Sequence, residues 1–170
     1  RDAESYANGH IPGSINIGLD GQFAPWVGAL ISDIQHNILV VAAEGREEES
    51  IKRLARVGYD RVLGFLEGGF ASWQSEKREF DTVKRINADE LAAVCSSNPT
   101  AVVLDVRKTS EYYSERLPSA VNLPLDNLNV RFNELPEADT LYIHCAGGYR
   151  SMIFASILKS RGVHNIVDVR

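Results

Sequence analysis

The chain has 170 residues, of which 44% are hydrophobic, enough for one medium domain or two small ones with a buried core. Its formal net charge of −5, without a run of Lys and Arg, argues against nucleic acid or an anionic membrane surface as a partner. No apolar run approaches ~18 residues, no signal peptide opens the sequence and the two cysteines make no disulfide framework, so we expect a protein of the reducing cytoplasm.

Residues 1–17 recur later in the chain. Shifted by 106 positions they fall on residues 107–123, and an Arg, a Tyr, a Pro and an Asn coincide without a gap. Such self-similarity predicts two copies of one domain. The polar stretch 79–85 predicts the boundary, so we expect domains at residues 1–80 and 81–170.

The two copies differ at their outer ends. A strand predicted at residues 101–105 leads into the second copy, whereas nothing comparable precedes Arg1. The first copy continues past its last strand through residues 67–73, and the second stops at Arg170. We therefore expect the first domain to be truncated at its N-terminus and the second at its C-terminus, within a longer polypeptide.

Hydrophobic periodicity predicts alternating helices and strands in both copies. In the first we expect a helix at 23–31, a buried strand at 38–43, a helix at 47–57 ended by Gly58, and a strand at 62–66. In the second we expect strands at 101–105, 120–123, 140–144 and 166–169, with helices near 109–115 and at 151–161. The alternation predicts an α/β fold, each domain a parallel sheet flanked by helices.

A further helix is expected from Asn87, because Asn87 and Glu90 resemble a capping pair ahead of apolar residues at helical spacing. Cys95 lies near the end of this pattern. We interpret Cys95 as a helix-packing residue. A role as redox partner of Cys145 is the minority interpretation.

Residues 145–151 are the most informative stretch, because they join the apolar run 141–143 to an amphipathic helical pattern at 152–158. Gly147 and Gly148 permit φ > 0 and let the backbone N–H groups curl inward. The first helical turn adds unpaired N–H groups and the positive end of the helix dipole. The pattern predicts an anion-binding loop around one thiol.

Cys145 is that thiol and the predicted nucleophile. A cysteine at a helix N-terminus beside a cation ionises far more readily than a free one, and Arg150 supplies the cation. We expect Cys145 to be largely ionised near neutral pH. A buried, inert cysteine is the alternative, but paired glycines and an arginine ahead of a helix favour a functional site.

The corresponding loop of the first copy is altered. Aligning Val41 with Ile143 places Ala43 opposite Cys145 and leaves the first loop two residues shorter. Three carboxylates, at residues 47–49, open its helix, which favours the helix but repels an anionic substrate. We expect the first copy to be catalytically inactive.

Residues 145–151, CAGGYRS, resemble the C-x-x-G-x-R-S active-site loop of rhodanese-like sulfurtransferases. Upstream, the segment from Asp105 to Tyr112 is similar to the family motif D-x-R-x-x-x-E-[YF], followed by a similar strand at 120–125. The resemblance implies that Cys145 is catalytic and that Asp105 and Arg107 form a structural ion pair near the loop. It also implies that the substrate is bound by Ala146, Gly147, Gly148, Tyr149, Arg150 and Ser151.

The resemblance further implies covalent sulfur transfer through a Cys145 persulfide, from thiosulfate or a thiol persulfide to a thiol or cyanide. Arg150 is expected to orient the anionic part of the donor, and the loop amides to hold the bound sulfur. His10 and His164 form no metal-ligand spacing, so no metal or cofactor is expected.

Some interpretations stay open at this point. Tyr149 either lines the mouth of the pocket or lies on the surface, while His144 should face away from Cys145 and pack in the core. A cysteine-dependent phosphatase or arsenate reductase of the same fold is an alternative, although the related phosphatases carry a loop one residue longer. A non-catalytic binding module is the other alternative.

A narrower resemblance concerns the order of the two loops. A degenerate domain with EGREEE, followed by an active one with CAGGYRS, is similar to the C-terminal region of bacterial fusions that carry a metallo-β-lactamase-like persulfide dioxygenase. That resemblance implies a role in sulfide detoxification and an upstream domain of the same polypeptide as a partner. None of the metal-binding histidine motifs of that domain is present in this sequence.

Overall fold

The computed structural model describes all 170 residues, which divide into two compact units. The first unit comprises Arg1–Pro12 and Ile17–Asp81, and the second comprises Gly13–Asn16 and Thr82–Arg170. The short segment before Ile17, which the sequence analysis assigned to the first domain, is thus grouped with the second unit. Its Asn16 N–H donates to the Ser156 hydroxyl at 2.9 Å.

The first unit contains a two-stranded parallel sheet and four helices. In chain order they are α1 (Ala3–Asn8), α2 (Phe23–Leu30), β1 (Ile38–Val40), α3 (Glu47–Ala55), β2 (Val62–Phe65) and α4 (Gly69–Ser75). The core of this unit joins side chains of α2 and α3 to neighbouring loops and consists of Leu19, Phe23, Val27, Leu54 and Tyr59. The predicted alternation of helices and strands is therefore present.

The prediction of a buried strand at residues 38–43 is wrong. The strand has three residues, and the Leu39 side chain is 73% exposed. Val40 and Val62 pack against the helix-covered core, whereas Leu63 and Phe65 lie with Leu39 among the exposed large hydrophobic residues. A run of apolar residues gives no information on whether one or both faces of a strand are covered, and here only one face is.

The second unit contains a five-stranded, wholly parallel sheet and four helices. In chain order they are β3 (Lys84–Ile86), α5 (Ala88–Ser97), β4 (Val102–Asp105), α6 (Thr109–Ser114), β5 (Val121–Asn122), α7 (Leu128–Arg131), β6 (Leu141–His144), α8 (Tyr149–Ser160) and β7 (Ile166–Val169). Two short 3-10 turns, Leu125–Asn127 and Phe132–Glu134, flank α7. The strand order in the sheet is β3-β7-β6-β4-β5. The fold class predicted from the sequence, parallel sheets flanked by helices, is confirmed.

Helix α5 begins as the sequence predicted. The Asn87 side chain accepts from the Glu90 N–H at 2.9 Å, and the Glu90 carboxylate accepts from the Asn87 N–H at 2.7 Å. This reciprocal capping box satisfies two N–H groups that the helix itself leaves unpaired. Cys95 is partly buried and packs against the core cluster that contains Leu91 and Val103, which confirms its packing role.

Helix α8 crosses the interior of the second unit. The apolar spacing at residues 152–158 predicts an amphipathic helix, but every residue from Ser151 to Leu158 is buried. Two serines, Ser151 and Ser156, are completely buried within it. A helix buried on all sides is fixed by packing, so its N-terminus provides a rigid support for the loop that precedes it.

The same hydrogen bond occurs at equivalent positions of the two units. Arg107 Nη2 donates to the Glu115 carbonyl at 2.6 Å, and Arg1 Nη2 donates to the Gly9 carbonyl, also eight positions along the chain. In each case the arginine precedes the short helix, α6 or α1, and binds the carbonyl that follows that helix.

None of the helices combines the length and the hydropathy that a membrane-spanning segment requires.

Candidate functional site

Cys145 is the first residue after β6, at the carboxyl end of the sheet, and α8 begins at Tyr149. The residues 145–151 are called the Cys145 loop below. The Ser151 N–H donates to Cys145 Sγ at 3.4 Å, and the Ser151 hydroxyl oxygen lies 3.6 Å from the same sulfur. The thiol therefore lies at the N-terminal end of α8, where the helix dipole favours a negative charge.

Gly148 makes the turn into the helix. It is the N-cap residue of α8 and has φ +78°, a left-handed conformation that favours glycine. Gly147 has no positive φ. Of the two glycines that permit φ > 0, the loop therefore uses that freedom at Gly148 alone.

The N–H groups at the start of the Cys145 loop are available for a ligand. Those of Ala146, Gly147 and Gly148 donate to no acceptor within the protein, and Ala146 and Gly147 are exposed. They belong to the same loop as the Ser151 N–H, which donates to the sulfur. An anion or a sulfane sulfur on Cys145 would satisfy these donors, as bound anions do at other helix N-termini.

Arg150 is engaged in an ion pair that the sequence analysis did not predict. Its two terminal nitrogens donate to the two carboxylate oxygens of Glu111, at 2.6 and 2.9 Å. The hydrogen bonds from Arg150 lower the pKa of Glu111 to about 2, and the same contact raises the pKa of Arg150. The guanidinium is thus fixed at the edge of the loop with its charge compensated.

Glu111 contacts the Cys145 loop through Arg150, a role that its place in the sequence motif does not indicate. It was recognised only as part of a sequence motif, and 39 positions separate it from Arg150. The pairing brings the start of α6 against the start of α8, so the loop is held from outside the sheet. A bidentate contact of this kind fixes both the position and the plane of the guanidinium.

Asp105 and Arg107 form the ion pair that the family resemblance implied. Arg107 Nη2 lies 2.6 Å from Asp105 Oδ2, and the Asp105 side chain is fully buried. The Asn122 side chain completes this corner by donating to the main-chain carbonyls of both residues, at 2.9 and 3.0 Å. The network fixes the ends of β4 and β5 beside the end of β6.

His144 lies against this buried pair. Its Nε2 is 3.7 Å from Asp105 Oδ2, and the side chain is 13% exposed. Burial lowers the pKa of His144, so the imidazole is neutral at pH 7. Tyr149 is half-buried at the first position of α8, which leaves both interpretations of its role open.

The loop of the first unit has a similar turn and no nucleophile. Gly45, with φ +77°, corresponds to Gly148, with φ +78°. Counted back from the first helical residues, Glu47 and Tyr149, Ala43 lies opposite Cys145, as the sequence predicts; counted back from the two glycines, Ala42 does. An alanine stands there in either alignment. The loop itself is not shortened; α3 has nine residues and α8 has twelve, so the missing residues lie in the helix.

The charges at the first loop also differ from those at the second. Arg46 pairs with Asp20 and Glu49, at 2.6 and 2.8 Å. Glu48 pairs with Lys52 one turn along α3. The carboxylates thus stabilise the helix and its loop, which agrees with the simpler interpretation of the acidic run.

Comparison with known proteins identifies the fold of both units. The family model described as "Rhodanese-like domain" matches residues 1–76 and 87–170. A protein of Bacillus subtilis described as "Putative sulfur carrier protein YrkF" is 32% identical over 88 residues, which are 52% of this chain and 48% of that protein. A "Sulfurtransferase" of Allochromatium vinosum is 24% identical over 88 residues, which are 52% of this chain and 82% of that protein.

A "tRNA sulfurtransferase" of Thermoplasma acidophilum is 28% identical over 93 residues, which are 49% of this chain and 18% of that protein. The chain thus spans about half the length of the first of these relatives and about a fifth of this one. Among solved structures, a rhodanese-like domain protein of Staphylococcus aureus is 28% identical, covers 52% of this chain and 85% of its own, and has a TM-score of 0.48. On the two matches of the family model, the chain belongs to the rhodanese-like domain family and contains two copies of that domain.

Proposed function

We propose that the second unit is a sulfurtransferase that moves a sulfane sulfur through a persulfide on Cys145. The observation that carries this proposal is the position of Cys145 Sγ, which accepts the Ser151 N–H at 3.4 Å beside loop amides that have no other acceptor. The sulfurtransferase names of two relatives support the same chemistry.

The first half-reaction is a displacement at sulfur. The Cys145 thiolate attacks the outer sulfur of thiosulfate or of a thiol persulfide, and a new S–S bond forms. The S–S bond of the donor breaks, and sulfite or a thiolate leaves with the electron pair. The terminal sulfur on Cys145 then carries the negative charge, and we assign its stabilisation to the N–H groups of Ala146, Gly147 and Gly148, which have no other acceptor.

The second half-reaction regenerates the thiolate. An acceptor thiolate or cyanide attacks the terminal sulfur, the S–S bond of the persulfide breaks and its electron pair returns to Cys145. No general base is needed in either half, provided the thiol is ionised. Arg150 is paired with Glu111, so we assign it two tasks, to hold the loop and to meet the anionic end of a donor at the rim.

The proposal also covers the role of the first unit and the partners of the protein. Because the first unit has an alanine opposite Cys145, we assign it no catalytic role. Linking the second unit to an upstream metallo-β-lactamase-like domain of the same polypeptide is its proposed task. A small-molecule sulfur donor and a thiol acceptor are the proposed partners, in sulfide and persulfide metabolism of the cytoplasm, without a metal or cofactor in this chain.

Mass spectrometry of the intact protein tests the proposal. After incubation with thiosulfate or glutathione persulfide, the wild type should gain one sulfur atom, and cyanide should remove it. Cys145→Ser should gain none. Cys95→Ser is the matched control, since it removes the other thiol and should load like the wild type. Sulfur that persists in Cys145→Ser would contradict the assignment.

Two assays on the same protein distinguish sulfur transfer from the alternative functions. Turnover of p-nitrophenyl phosphate or arsenate that depends on Cys145, without sulfur loading, would favour a phosphatase or arsenate reductase. Neither loading nor turnover by a folded protein would favour a binding module. The outcome for cyanide is decisive for sulfur transfer, because cyanide removes only a sulfane sulfur.

A further inference from the structure

A second buried ion pair lies beneath the Cys145 loop. Arg85 in β3 and Asp168 in β7 are direct cross-strand partners. Arg85 Nε lies 2.8 Å from Asp168 Oδ2, the Asp168 side chain is fully buried, and the Arg85 side chain is 13% exposed. Removing two charges from water costs several kcal/mol of desolvation free energy, typically about as much as the pair regains, so this pair is not explained by stability alone.

The Arg85 guanidinium reaches Gly148, the N-cap residue of α8. A Cβ atom on Gly148 would lie 3.2 Å from Arg85 Nη2, closer than nine in ten real Cβ contacts. Gly148 is therefore restricted twice, by its φ of +78° and by the guanidinium beside it. Through Gly148, Arg85 contacts the loop whose first helical turn holds the Cys145 sulfur.

The position of this cation is unfavourable for α8 considered alone. Cations stabilise the C-terminal end of a helix, whereas Arg85 lies at the N-terminal end, where the helix already has positive potential. A negative charge on the Cys145 sulfur lies at this same end and would be stabilised by both. The charges around the loop are thus arranged for an anion, and the cost to the free helix is offset when the anion is present.

We propose that Arg85 is a positioning residue of the Cys145 loop. Held by Asp168, its guanidinium fixes Gly148 at the start of α8, and so fixes the N–H groups that face the sulfur. Asp168 pairs with the Nε side of the guanidinium, whereas Nη2 lies beside Gly148 and there adds to the positive potential that an anion on Cys145 would experience. The inference deepens the proposed sulfur transfer and rests on it for the identity of the anion.

The pH profile of Cys145 alkylation by iodoacetamide tests the role of Arg85. The rate is followed on the intact chain by peptide mass spectrometry, which distinguishes Cys145 from Cys95. In Arg85→Met the half-point of the profile should rise by about 0.5 to 1 pH unit, since an electrostatic contribution of this size is ordinary for a neighbouring charge. Arg85→Lys keeps the positive charge but lacks the planar guanidinium, and its half-point should rise by less than half as much as that of Arg85→Met.

Two further variants make the result specific. Arg131→Met is the matched control, because Arg131 pairs with the exposed Glu134 and should leave the profile unchanged. Asp168→Asn should alter the rate in the wild type but change it by less than about twofold in Arg85→Met, as expected if Asp168 acts through Arg85. Circular dichroism confirms that each variant is folded at the temperature of the assay.

An unchanged half-point in folded Arg85→Met would overturn the proposal, as would equal effects of Asp168→Asn in both backgrounds. A loss of stability does not move the half-point of the folded protein, so a merely structural role is distinguishable. Alkylation needs no sulfur donor. A failure of sulfur loading with an intact Arg85 effect would therefore contradict the proposed function and leave the positioning role standing.

Discussion

Arg150 and Glu111 form a bidentate ion pair, in which the two terminal nitrogens of the guanidinium donate to the two carboxylate oxygens. The contact joins the first turn of α8 to the first turn of α6. It compensates the charge of Arg150 within the Cys145 loop, so a negative charge on Cys145 Sγ would be met by the loop amides and the helix dipole rather than by a free Arg150.

Glu111→Gln should destabilise the second unit and loosen the loop. Hydrogen bonds between charged groups typically contribute about 1.5–3 kcal/mol, but the Glu111 side chain is 36% exposed, so we expect a loss of about 1 kcal/mol at pH 7. Urea unfolding followed by circular dichroism measures the difference. Glu134→Gln, which removes the exposed partner of Arg131, is the control and should cost less.

The cost of Glu111→Gln should depend on pH. The pKa of Glu111 is lowered from 4.5 to about 2 in the folded protein, so the stabilisation is fully present above 4.5 and is lost as the pH falls through 2. The stability difference between wild type and variant should therefore shrink between pH 5 and pH 2. A difference that stays constant over this range would show that the lost contact is not the ionised pair.

Gly148→Ala should be far more damaging than Gly147→Ala. At Gly148 an alanine meets both a left-handed φ and Arg85 Nη2, and should cost at least about 1 kcal/mol of folding free energy. At Gly147 a Cβ has no atom within 4 Å and φ is not positive, so alanine should change stability by less than about 0.5 kcal/mol. Urea midpoints and the alkylation rate of Cys145 give the comparison, and equal effects would contradict it.

His144 should make the second unit sensitive to mild acid. Burial lowers its pKa below the ordinary value of 6.5, so the unfolded chain binds a proton at a higher pH than the folded one does. Stability contributed by the neutral imidazole is therefore lost as the pH falls below about 6.5. Between pH 7 and pH 5 the wild type should lose more stability than His144→Asn, measured by urea unfolding, and parallel losses would refute this.

Restoring a thiol to the first unit should not restore sulfur loading. In a Cys145→Ser background, Ala42→Cys places a thiol at the position that the turn glycines align with Cys145, but Ala42 is 5% exposed and α3 opens with three carboxylates. Burial and the nearby negative charge both disfavour a thiolate. Incubation with glutathione persulfide should add no sulfur that cyanide removes, and such a gain would show that the two loops are chemically equivalent.

Local features of the second copy were largely predictable from the sequence. Asn87 and Glu90 form their capping box because both partners lie within one turn, and the turn before α8 follows from a pair of glycines. The sequence could not show which glycine is left-handed, since either position alone makes the turn. It also could not show that residues 151–158 are buried on every side, because that depends on the neighbouring elements.

Contacts between residues far apart in the sequence could not be predicted. The Glu111 carboxylate is brought to Arg150 by the packing of two helices, and 83 positions separate Arg85 from its partner Asp168. Charged residues are common enough that neither pairing stands out in one sequence. In the first unit the apolar run at residues 38–43 gave the correct element but not the open face at Leu39.

The clamp shared by the two units, from an arginine to the carbonyl eight positions later, has a consequence for protein engineering. It is present at Arg107, beside the thiol, and at Arg1, where no thiol exists. Architecture and chemistry are thus specified by separate sets of side chains in this scaffold. A designer could exchange the residues between the strand and the buried helix for another reactive group while leaving the supporting framework untouched.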